Sequence, residues 1–118
     1  MKNILIVGDD IKEINRLRRF FGLEFKVSAV NSSESALETL KSKKSDLMVY
    51  RANTNLNALF ELYMNLRRNS ATENMPLLVI TQTQIKEALS DMTEMSNTAV
   101  VDATQAEDDI IAVANSLM

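Results

Sequence analysis

Neither cysteine nor histidine occurs anywhere in the 118 residues. That removes a disulfide scaffold, a thiolate zinc site, a cysteine nucleophile and a histidine-based triad. The missing thiols also fit a reducing compartment. Two glycines and one proline leave little room for long flexible linkers. The net charge is −3 and no dense basic stripe is present, so no direct contact with nucleic acid is expected. The apolar run near the start, Ile4 to Val7, is followed closely by acids. It is too short for a signal-peptide core or a membrane span. A cytoplasmic protein without membrane association is the expectation.

What is present is ordinary in amount and ordered in arrangement. Hydrophobic residues make up 46% of the chain and charged residues 25%, as in a globular protein that buries its own core. One domain covering residues 1–118 is expected. Short apolar runs alternate with helical patterns. The strand candidates are NILIV, EFKVSAVN, DLMVY, MPLLVIT and TAVVD. The helix candidates are DDIKEINRLRRFFG, SSESALETLKSK, LNALFELYMNLRRN, QIKEALSDMTEM and AEDDIIAVANSLM. In the first, Ile11, Ile14, Leu17, Phe20 and Phe21 recur at helical spacing. In the third, Leu56, Leu59, Phe60, Tyr63 and Leu66 are expected to face inward.

All-apolar strands between amphipathic helices predict a parallel sheet covered on both faces. The right-handed crossover rule then leads to a doubly wound five-stranded α/β sheet in the order 2-1-3-4-5. Ligand sites in such sheets lie beyond the carboxyl ends of the strands, at the switch point between strands 1 and 3. The residues placed there are Gly8, Asp9 and Asp10, then Arg51 and Ala52, then Thr81 and Gln82, then Asp102 and Ala103.

At these residues the chain resembles the CheY-like receiver domain of bacterial response regulators. The phrases NILIVGDD, AVNSSESALETLKSKKSDLMVY, MPLLVIT and TAVVDAT carry the resemblance, which runs from Lys2 to about Leu117. The family uses acids after strand 1 to hold Mg²⁺ and an aspartate ending strand 3 to accept a phosphoryl group. A Ser or Thr ending strand 4 and a lysine ending strand 5 contact the phosphate. Cations neutralise the phosphoryl oxygens while the carboxylate attacks in line. Matched by position, Gly8 replaces the first acid, Asp9 matches the second and Asp10 follows. Arg51 takes the phosphoacceptor position, Thr81 keeps the hydroxyl and Asp102 replaces the lysine. Ala103 replaces the usual proline, and Ala99 the aromatic switch residue.

An arginine cannot accept a phosphoryl group. The resemblance therefore implies a pseudo-receiver, not an enzyme, without a cofactor and without the family's Mg²⁺ site. The exchanged signs at Arg51 and Asp102 lead to a further expectation. Arg51 is to stand as an internal cation pairing with Asp102 and neutralising Asp9 or Asp10, so that strands 1, 3 and 5 are tied together. Against it stand a solvated Arg51 and a capping role for Asp9 or Asp10. Thr81 either gates a conformational change or bonds a neighbouring loop.

The function expected is phosphorylation-independent binding of a signalling protein or of an output domain attached after Met118, or homodimerisation. The interaction face implied by the family is helix 4, strand 5 and helix 5, with Met92, Met95, Ala99 and Val101 as candidates. Two other readings are kept. One is a phosphoswitch using Asp10 or Asp102 with Mg²⁺. The other is a flavodoxin-like domain binding a small ligand, although VGDD offers no glycine-rich phosphate loop.

Overall fold

The computed structural model describes residues 1–53, 55–89, 91, 95 and 97–118. Five strands alternate with helices along the chain: β1 (Asn3–Val7), α1 (Ile11–Phe21), β2 (Lys26–Val30), α2 (Ser33–Ser42), β3 (Leu47–Arg51), α3 (Leu56–Arg68), β4 (Leu77–Thr81), α4 (Thr83–Ala88), β5 (Thr98–Asp102) and α5 (Glu107–Leu117). All strand pairs are parallel and the order is β2-β1-β3-β4-β5, as the sequence pattern predicts.

The pleat divides the core in two. Ile4, Ile6, Leu47, Val49, Leu78, Ile80 and Val101 point to one face, where α1 and α5 cover them. Leu5, Val7, Met48, Tyr50, Leu77, Val79 and Val100 point to the other, under α2 and α3 with Leu89. Strands buried on both faces need apolar side chains at every position, which is why β1, β3 and β4 show no alternation in sequence.

Local signals set the helix starts. The Asp10 carboxylate accepts from the amides of Lys12 and Glu13 and begins α1. Ser32 and Asn55 accept from the amides of Ser35 and Ala58 and begin α2 and α3. No side chain caps α5, whose first turn instead holds Glu107, Asp108 and Asp109 against the helix dipole.

Three expectations about helices are corrected. Ile11, the first residue of α1, is 74% exposed, and the buried face of the helix is Ile14, Leu17, Phe20 and Phe21. Phe60 is exposed, and Leu62 takes the inward place beside Leu59 and Leu66. The fourth helix spans Thr83–Ala88 and is shorter than the twelve-residue pattern, with much of the remainder outside the described residues. Among the described residues no helix is long and apolar enough to cross a membrane.

Candidate functional site

The carboxyl ends of β1, β3, β4 and β5 bring Gly8, Arg51, Thr81 and Asp102 to one edge of the sheet. They do not form one cluster. Arg51 shares the pleat parity of Leu47 and Val49, so its side chain leaves β3 toward α1. Asp102 shares the parity of Thr98 and Val100 and leaves β5 toward α4. The two are on opposite faces, with β4 between their strands. The expected Arg51–Asp102 pair is therefore corrected.

Arg51 is nonetheless internal, with 6% of its surface exposed. Its Nε donates to Glu13 Oε2 at 3.3 Å. Its Nη1 donates to the Ala52 carbonyl at 2.8 Å and reaches the Ile80 carbonyl at 3.5 Å. Glu13 also lies 3.9 Å from Arg16, so one carboxylate serves two guanidinium groups. The carboxylate that pairs with Arg51 thus comes from the first turn of α1, not from Asp9 or Asp10. Glu13 was not among the sequence candidates. Its signal was its place three residues after the Asp10 cap, where a capping-box glutamate normally reaches back to the backbone.

The remaining acids are engaged elsewhere. Asp9 Oδ1 accepts from Asn53 Nδ2 at 2.6 Å, joining the loops after β1 and β3. Asp10 caps α1. A side chain at Gly8 would meet Ile14 Cδ1 at 2.7 Å and Arg51 Cβ at 3.3 Å, so Ile14 and Arg51 take the space an acid would use there. Thr81 is fully buried and its hydroxyl donates to the Ala52 carbonyl at 3.0 Å, which ties β4 to the loop after β3.

Asp102 organises the opposite end of the edge. It accepts from the hydroxyl of Thr83, and from the amide and hydroxyl of Thr104 at 2.8 and 2.7 Å. Its pKa falls from 3.8 to about 2, chiefly through the Thr83 hydroxyl, then the two Thr104 groups, with a smaller contribution from Lys86. Beside Arg51, a cavity of about 340 Å³ opens between Gly8, Asp9, Ser33, Tyr50 and Asn53. Burial raises the Tyr50 phenol above its ordinary value and the Asp9 charge adds to this, partly offset by Ser33.

The candidate interaction face is only partly present. Met95 is 38% exposed, and Met92 lies outside the described residues. Ala99 is half-buried against the α1/α5 core. Val101 is 4% exposed and packs in that same core, which corrects its assignment to a surface.

The sequence matches no protein-family model and no curated protein. The fold matches many solved structures, receiver domains among them. The chemotaxis response regulator CheY4 of Vibrio cholerae superposes with a TM-score of 0.83 at 15% identity, covering 100% of this chain and 99% of that one. The receiver domain of a signal transduction histidine kinase from Syntrophus aciditrophicus gives 0.82 at 13% identity, covering 99% and 89%. A receiver-modulated diguanylate cyclase from Pelobacter carbinolicus gives 0.78 at 18% identity, covering 99% and 92%. The chain therefore has the CheY-like receiver fold.

Proposed function

We propose that this domain is a cytoplasmic signalling module of the receiver type that acts by binding protein rather than by accepting phosphate. The observation that carries the proposal is Arg51. It stands at the end of β3, buried, with its guanidinium on Glu13. It offers no carboxylate where the family places its nucleophile, and it brings a fixed positive charge to the crevice. The donors around it do not suit Mg²⁺, which needs several oxygens in near-octahedral array. Asp9 is bonded to Asn53, Asp10 is bonded to the first turn of α1, and the Gly8 position is filled by Ile14. Nor do Asp10 and Asp102 serve well as substitute acceptors. The first caps a helix and the second accepts three hydrogen bonds facing away from Arg51.

In this reading the Arg51–Glu13 contact keeps β3 and α1 in one arrangement by encoded charge. The domain then presents a constant surface to a signalling partner or to an output domain elsewhere in its protein. Incubation with acetyl phosphate and Mg²⁺ followed by intact-mass measurement tests it. The expected result is an unchanged mass, and a stoichiometric phosphoryl adduct would overturn it.

A further inference from the structure

The outer face of α3 carries more apolar surface than the core uses. Leu59, Leu62 and Leu66 are fully buried on its inner side. On the outer side Phe60 and Met64 are 41% and 47% exposed. They lie one turn apart and so form one ridge. The other exposed large apolar side chains among the described residues, Met1, Ile11, Leu23 and Met95, are on other segments of the chain.

Charges border the ridge in a specific order. Glu61 and Arg68 are exposed, two turns apart on the same side of the helix, with Met64 and Asn65 midway between them. Among the described residues neither takes part in an ion pair within the chain. Arg67, by contrast, is committed. Its Nη1 donates to the Met75 carbonyl at 2.8 Å and its guanidinium lies 5.1 Å from the Tyr63 ring centroid.

We infer that this face of α3 is an isologous contact whose occupant is a second copy of the same chain. Read in one direction the face is acid, apolar, base, and the reverse direction is its complement. An antiparallel arrangement about a two-fold axis at Met64 sets Glu61 of each protomer against Arg68 of the other, twice by symmetry. Met64 meets its own copy, and Phe60 lies beside the partner's Arg68 with its ring available to the guanidinium. A parallel arrangement would set Glu61 against Glu61 and Arg68 against Arg68. One helix against one helix is a small interface, so the dimer is weak and reversible. The inference rests on the reading of the domain as a protein-interaction module. Glu61 also lines the cavity beside Arg51, but the contact uses neither Arg51 nor Glu13, so its failure would leave the absence of phosphotransfer untouched.

Sedimentation equilibrium from micromolar to low millimolar protein tests it, using the wild type, Glu61→Arg, Arg68→Glu, the double variant and an equimolar mixture of the two single variants. Both positions are exposed, so all variants should keep the wild-type circular dichroism. The wild type should self-associate, and each single reversal should raise Kd roughly tenfold or more. The double variant should return to within about threefold of wild type. The mixture should form heterodimers, in which every charge is again paired. A wild type that stays monomeric throughout overturns the inference. So does a dimer indifferent to both reversals, or a double variant that fails to recover.

Discussion

Arg51 concentrates the unusual physics of this chain in one side chain. A buried guanidinium is costly unless a carboxylate and hydrogen-bond acceptors receive it. Here Glu13 and the carbonyls of Ala52 and Ile80 do so. The two partners are not equivalent. Glu13 keeps 31% of its side-chain surface exposed, so it can return to water if Arg51 is removed. The carbonyls also have other donors, the Thr81 hydroxyl for Ala52 and the Ala52 amide for Ile80. Arg51 would keep its carbonyl acceptors without Glu13, but among the described residues it has no second carboxylate to balance its charge. Glu13→Ala is therefore expected to cost about 1–3 kcal/mol in urea unfolding, and Arg51→Met clearly less. An equal or larger loss for Arg51→Met would show that the guanidinium itself, rather than its neutralisation, stabilises the edge. Arg51 turns inward, as expected from the exchanged signs at Arg51 and Asp102, but it pairs with Glu13 and not with Asp102, Asp9 or Asp10. Its partner was not legible, because a strand buried on both faces has no alternation to reveal which way its last residue points.

At the scale of elements, Asp102 is the joint between β5, α4 and the turn into α5. Thr83 at the start of α4 and Thr104 in the turn both donate to it. The folded carboxyl titrates near 2, below its ordinary 3.8. Its contribution to stability is therefore complete above about 4 and is lost as pH falls toward 2. Thr83→Val removes the largest cause and should raise the Asp102 pKa toward 3.8, as read by carboxyl-carbon NMR titration. A titration unchanged by that substitution would mean that the Thr104 turn alone holds the carboxylate. The helices also show where sequence phase is ambiguous. In α3 the run Leu56, Leu59, Phe60, Leu62, Tyr63, Leu66 supports more than one inward face, and packing chose Leu62 over Phe60.

For the molecule as a whole, element order and sheet topology were readable because they follow from composition and connection rules. Apolar strands alternating with amphipathic helices admit few topologies, and the observed order is the one those rules favour. The site was readable only as a set of positions. The topology delivers Gly8, Arg51, Thr81 and Asp102 to one edge, but the pleat then sends Arg51 and Asp102 to opposite faces. The proposed function requires that this edge hold a fixed internal cation, Arg51, in place of a metal-dependent, phosphate-responsive pocket. An amide NMR titration of the wild-type domain, first with millimolar Mg²⁺ and then with beryllofluoride, tests it most directly. The prediction is that resonances from Gly8 to Ile11, Arg51 to Asn53 and Thr81 to Gln82 show no saturable shift with either addition. A saturable shift confined to those residues would contradict the claim and show that the crevice still takes up metal or a phosphoryl mimic.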